Sequence, residues 1–264
     1  MSLAARVRGV GLAGPGLHGW PAAREALAGR APYVTAPTVL PAPEALPPTE
    51  RRRAGKCVKL ALATGLEAAA AAGLDPASLA TVFASSSGDG ENCHAICETL
   101  ASDDRMISPT RFHNSVHNAP AGYWSIATGA TASADCIAAF DASFGAGLLE
   151  ALARLAAEPG NPVMLLAYDA PYPEPLHGAR PIPDAFGVAL ALGSADERAE
   201  GPRLTVDLAP SPPARMERAA LEALRAAIPA ARSLPLLALL ASGRPGTVAV
   251  AYLDDLALRI EVRP

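Results

Sequence analysis

The sequence predicts an α/β protein, with helices layered on a β-sheet. Three observations carry this. Apolar runs of strand length alternate with helix-period runs through the first two thirds of the 264 residues. Hydrophobic residues make up 50% of the chain, enough for a substantial core. Residues 108–158 read as a polar loop, a helix or turn, a buried strand, a corner at Phe140-Asp141-Ala142-Ser143, and a long Ala/Leu helix. A strand end meeting a helix N-terminus is where α/β enzymes hold nucleophiles, because free N–H groups and the helix dipole favour negative charge. A single domain over residues 1–264 is expected.

Residues 6–12 read as a strand entering a Gly/Pro turn. Gly9, Gly11 and Gly14 have the spacing of a dinucleotide fingerprint, but no helix opens at the third glycine and no acid follows at the required distance. Residues 33–49 are a Pro-rich connector. Residues 50–73 read as one long helix, opened by Glu50-Arg51-Arg52-Arg53 and stopped by Gly73. The Arg triplet reads as a solvated first turn, with a phosphate or an acidic partner as its alternative. Residues 80–84 are a strand, 85–90 a Ser/Gly turn, and 91–100 a helix carrying Cys93, His94 and Cys97. Its two thiols share a face, but no further pair matches them except His113 and His117 in the next loop, so they read as small hydrophobes rather than zinc ligands.

Beyond the corner, residues 162–168 form a strand buried on both faces, 169–183 a Pro-rich loop, and 188–192 and 203–208 two more strands. Residues 214–228 are an amphipathic helix and 234–241 an apolar segment of either type. Residues 247–252 and 256–262 form a hairpin across Asp254-Asp255.

Net charge is −4, and no basic stripe with interleaved aromatics argues for nucleic acid. No apolar run approaches the roughly 18 residues of a membrane span. The N-terminus lacks a basic segment followed by an apolar core, which points to a cytoplasmic protein. Cys57, Cys93, Cys97 and Cys136 are too scattered for a disulfide framework and read as reduced thiols. No cofactor and no metal are expected.

Several strings, in order, carry a family resemblance. Leu46-Pro47-Pro48-Thr49-Glu50-Arg51-Arg52-Arg53, Val82-Phe83-Ala84-Ser85, the loop Ser108-Pro109-Thr110-Arg111-Phe112-His113-Asn114-Ser115-Val116-His117-Asn118 and the run Ala121-Gly122-Tyr123-Trp124-Ser125-Ile126-Ala127-Thr128-Gly129 resemble the N-terminal half of a β-ketoacyl-ACP synthase. Cys136-Ile137-Ala138-Ala139-Phe140-Asp141 is similar to that family's strand and nucleophile turn, and residues 184–192 to the start of its second half. The resemblance covers roughly the first 210 residues. It implies a thiolase-like, layered α/β/α fold, with residues 1–200 matching the N-terminal half and 201–264 a reduced second half.

Aligned on this resemblance, Asp141 falls on the position of the nucleophilic cysteine, and Cys136 lies five residues earlier. The family's two late histidines have no counterpart, since no histidine follows Gly201. Nucleophile and oxyanion donors are thus both missing. The resemblance then narrows to chain-length factors, the non-catalytic partners of ketosynthases, and to the ketosynthase-like subunits of aryl polyene pathways. It implies a ketosynthase partner, an acyl carrier protein met indirectly, and a homodimer as the form in isolation. Residues 132–139 would pair across the interface, and Arg111, Phe112, His113, His117, Asn118 and Cys136 would lie at the interface or tunnel. Phe112 and His113 would form the tunnel floor, or else be a core Phe and a hydrogen-bonded loop His. The rival is a stand-alone acyl-transferring or thioester-handling enzyme using Cys136 or Asp141.

Overall fold

The computed structural model describes residues 2–196 and 200–264. In chain order the elements are β1 (Leu3–Gly14), β2 (Leu17–His18), α1 (Trp20–Leu27), α2 (Pro48–Arg53), α3 (Lys56–Ala72), β3 (Ala80–Ala84), α4 (Gly90–Ala101), α5 (Pro109–His113), α6 (Ala119–Thr128) and β4 (Ala134–Ile137). There follow α7 (Ser143–Ala157), β5 (Val163–Asp169), α8 (Leu176–Ala179), β6 (Phe186–Gly193), β7 (Arg203–Ala209), α9 (Ala219–Ala227), α10 (Leu234–Ser242), β8 (Gly246–Ala251) and β9 (Ala257–Arg263).

One mixed sheet runs β4-β3-β5-β6-β1-β7-β9-β8, with β2 folded back on β1. Strands β4, β3 and β5 are parallel, and every later pairing is antiparallel. Side chains alternate across the sheet, so each central strand feeds two cores. On β5, Val163, Leu165 and Ala167 join α7, α9 and α10 on one face. Met164, Leu166 and Tyr168 join α3 and α6 on the other. Strand β1 changes parity at an irregularity between Val7 and Gly9, which keeps Ala5, Val7, Val10 and Leu12 on the same side.

The Gly9/Gly11 pattern serves packing. A Cβ at Gly9 would land on the Ala68 carbonyl, and one at Gly11 on the Thr64 carbonyl, so the glycines let α3 lie directly on β1. The helix expected over 50–73 is two helices. Ala54 and Gly55 are extended, and Gly55 packs against Asp89 with no room for a Cβ. Gly73 ends α3 in the left-handed conformation, as expected. The helix expected over 214–228 is shorter, α9. The apolar segment 234–241 is helical and buries Leu234, Leu236, Leu237 and Leu240.

The expected hairpin forms β8 and β9, which extend the same sheet rather than start a second one. There only one face is covered: Leu258, Ile260 and Val262 are buried, whereas Arg259 and Arg263 are exposed. The strand through Cys136 was expected to be buried; it is the sheet's outer strand, paired only with β3, and Ala134 is exposed.

Candidate active-site corner and its surroundings

The corner follows from the end of β4. Residues Phe140–Ala142 make a tight turn into α7. Phe140 has φ +50, a left-handed conformation that is strained for a bulky residue. Ser143 Oγ stabilises the turn by donating to the Phe140 carbonyl at 2.7 Å and accepting from the Ala139 N–H at 3.0 Å. The Phe140 ring is 63% exposed, and the Arg180 guanidinium lies 3.8 Å from its centroid. The strained residue is thus Phe140, immediately ahead of Asp141.

Asp141 is partly exposed and doubly paired. Arg180 Nη2 donates to Oδ1 at 2.6 Å, and Arg232 Nη2 donates to Oδ2 at 2.7 Å. A carboxylate engaged by two guanidinium groups is poorly available as a base or nucleophile. Arg180 also donates to the Tyr172 hydroxyl at 3.1 Å, which is 2.5 Å from Ser87 Oγ.

Below the corner lies Asp169, the last residue of β5, only 2% exposed. Its Oδ1 accepts from Ser86 N–H at 2.9 Å and Ser85 Oγ at 3.3 Å, and its Oδ2 from Ala230 N–H at 2.8 Å. Burial raises its pKa to about 7, against the downward pull of these hydrogen bonds and of Arg180.

The remaining predicted site residues spread outward from here. His117 Nε2 is 3.2 Å from the Ser85 carbonyl, so this histidine does reach the inner network. Phe112 is 68% exposed and therefore no core residue, and Arg111, His113 and Asn118 are also exposed. The Arg111 carbonyl accepts from Asn92 Nδ2 at 2.8 Å. Cys136 is half-buried, and burial pushes its thiol pKa up. Cys93 and Cys97 are exposed on α4, and among the described residues no cluster of three or more His, Cys, Asp or Glu could hold a metal.

Arg180, Arg232, Tyr172 and Asp169 were not anticipated from the sequence. Arg180 and Arg232 lie in a Pro-rich loop and a short turn far from Asp141 in the chain, with no local pattern linking them. Only Asp169 left a trace, as the charged end of the apolar run Val163-Met164-Leu165-Leu166-Ala167-Tyr168.

A cavity of about 510 Å³ beside α5 is lined by Arg52, Arg53, Lys56, Lys59 and Arg111, with Asp89 and Glu91 as its acids. It gives a positive concavity to a chain whose net charge is negative.

Residues 22–249 match the family of the beta-ketoacyl synthase, N-terminal domain. The chain belongs to the β-ketoacyl synthase family. The match runs past the 210 residues expected and takes in β7 and part of β8, but not β9. Among solved structures, this β-ketoacyl synthase-family chain resembles one described as the ketosynthase ApeO in complex with its chain length factor ApeC from Xenorhabdus doucetiae, at TM-score 0.74 and 23% identity over 98% of this chain and 99% of that one. It also resembles the ishigamide ketosynthase/chain length factor, at TM-score 0.72 and 17% identity over 99% of both chains. A third likeness, at TM-score 0.74 and 10% identity over 99% of both, is to a type II polyketide acyl carrier protein in complex with its ketosynthase, AntDE:AntF. At these identities the likeness establishes the fold, which is thiolase-like. No curated protein sequence matches the chain. Among the described residues, no helix is long and apolar enough to cross a membrane.

Proposed function

We propose that the chain is a non-catalytic, chain-length-factor-type subunit that pairs with an active β-ketoacyl-ACP synthase in fatty-acid or polyketide-type biosynthesis, of the aryl polyene kind. The observation that carries this is the corner. Neither its strained residue, Phe140, nor Asp141 supplies a thiol, and Asp141 is committed to two arginines. The rival enzyme would need Cys136, whose thiol is held protonated by burial on β4, or Asp141, whose charge is already neutralised.

The surroundings fit a partner. Strand β4 has an open edge, and α4 and α5 bury no residue. Met106, Phe112 and Val116, in the segment between α4 and α6, are exposed at 83%, 68% and 53%. An unpaired strand bordered by apolar side chains suits pairing with another sheet. The solved structures that the chain resembles are described as ketosynthase complexes, one with an acyl carrier protein, and the basic cavity suits an acidic partner.

The test is co-expression with a full-length ketosynthase from the same source, followed by incubation of each chain, alone and paired, with an acyl thioester and intact-mass analysis. Co-purification is expected, with acylation on the partner only. A covalent acyl adduct on this chain alone would overturn the proposal in favour of the enzyme.

A further inference from the structure

The contacts around Asp141 and Asp169 close into a ring. From Asp169, one arm runs through Ser86 N–H to the adjoining Ser87, whose hydroxyl meets Tyr172; Tyr172 accepts from Arg180, and Arg180 holds Asp141 Oδ1. The other arm runs from Asp169 Oδ2 to Ala230 N–H, and two residues on Arg232 holds Asp141 Oδ2. The ring ties together the end of β5, the β3–α4 turn, the loop around α8, the 230–233 turn and the β4–α7 corner. It adjoins Phe140, among the described residues the one non-glycine with positive φ, whose exposed ring rests on Arg180.

A strained residue persists only where its surroundings over-determine it. Here the over-determination is traceable to one buried group. Asp169 lies at the base of both arms, and every arm begins with an N–H donated to its carboxylate. We propose that Asp169 is a positioning residue for the Phe140–Asp141 corner, and that its charge state sets how firmly the ring of contacts holds Phe140 against Arg180.

The ionised carboxylate accepts from both N–H groups with full charge, which fixes both arms. Protonation halves that pull and adds an O–H to a site built of donors, so the arms slacken. The groups facing Asp169 are the Cys57 thiol of α3, the Tyr168 phenol of β5, the Arg180 guanidinium after α8 and, through Ser85, whose carbonyl lies 3.2 Å from its Nε2, the His117 imidazole ahead of α6. The Cys57 thiol and the Tyr168 phenol are both pushed well up by burial and stay neutral, Arg180 pulls the Asp169 pKa down, and Asp169→Asn separates the carboxylate from His117. Burial places Asp169 itself at about 7. The inference concerns this chain alone and stands or falls independently of the partner subunit.

The test is ¹⁹F NMR on the whole chain carrying 4-fluorophenylalanine at its five Phe positions, with the Phe140 resonance assigned by Phe140→Leu. Between pH 5.5 and 8.5 (roughly 1.5 units either side of the Asp169 pKa) the Phe140 resonance is expected to titrate with a midpoint near neutrality, while exposed Phe112 stays flat. Asp169→Asn is expected to abolish the titration. Tyr172→Phe, which breaks one arm but leaves Asp169, is expected to reduce its amplitude without moving its midpoint. A Phe140 resonance that does not titrate overturns the inference, as does a titration that survives in Asp169→Asn. Should Asp169→Asn fail to fold, an unchanged amplitude in Tyr172→Phe overturns it equally.

Discussion

Asp169 and Cys136 show how burial decides what a titratable side chain can do. The folded pKa of Asp169, about 7, lies above the unfolded value of 3.8. The folded state therefore binds the extra proton, and this group's contribution to stability grows as pH falls from about 7 towards 4 and is lost on raising the pH through 7. Glu67, half-buried and also raised, acts in the same direction. The expected outcome is a urea midpoint that rises between pH 7.5 and 5, with a slope that Asp169→Asn flattens; the full effect is on the order of 4 kcal/mol. Global stability thus rises over the same interval in which the corner is expected to loosen. Cys136 should react more slowly with iodoacetamide than Cys93 and Cys97, measured by peptide mapping of the native chain, since it is half-buried while the other two are exposed; burial raises the thiol pKa of Cys136 and Cys93 alike. Phe112→Ala, in the reconstituted pair, is expected to change product length while leaving the chain's own melting temperature nearly unchanged, because the side chain is exposed. An unaltered product profile would rule out the tunnel role expected for Phe112.

Among the elements, the sheet's strands were readable because each carries its own signal. Residues 162–168 are a continuous apolar run, and β9 alternates buried and exposed residues as its sequence does. The break between α2 and α3 was not readable, because Ala54-Gly55 looks helix-compatible until Asp89 packs against it. The edge position of β4 was equally hidden, since a strand's neighbours are set by the fold and not by its own residues. The same limit applied at the corner. The sequence marked Asp141 and His117, but the arginines that engage Asp141 come from 39 and 91 positions away. The glycine pattern of β1 resembled a cofactor motif because close backbone approach is what both uses require. Gly11→Val is therefore expected to push α3 off β1 and cost about 1–3 kcal/mol in denaturant unfolding. A dinucleotide would not protect either form.

For the chain taken entire, the two ends of the sheet differ. Ala134→Lys, a charge placed on the exposed end of β4, is expected to weaken association with the ketosynthase in analytical ultracentrifugation while shifting the chain's own stability by less than about 0.5 kcal/mol. Equal association of the two forms would take β4 out of the interface. At the opposite end, the Ala214 N–H donates to the Ala249 carbonyl of β8, so that strand's outer side is engaged at one position. The exposed face beside it carries the Arg259–Asp207 ion pair rather than apolar side chains. Backbone pairing is therefore freer at β4 than at β8. On the proposed reading two sheets meet along the bare β4 margin, and the contact already made on β8 stands in the way of a second junction of the same kind.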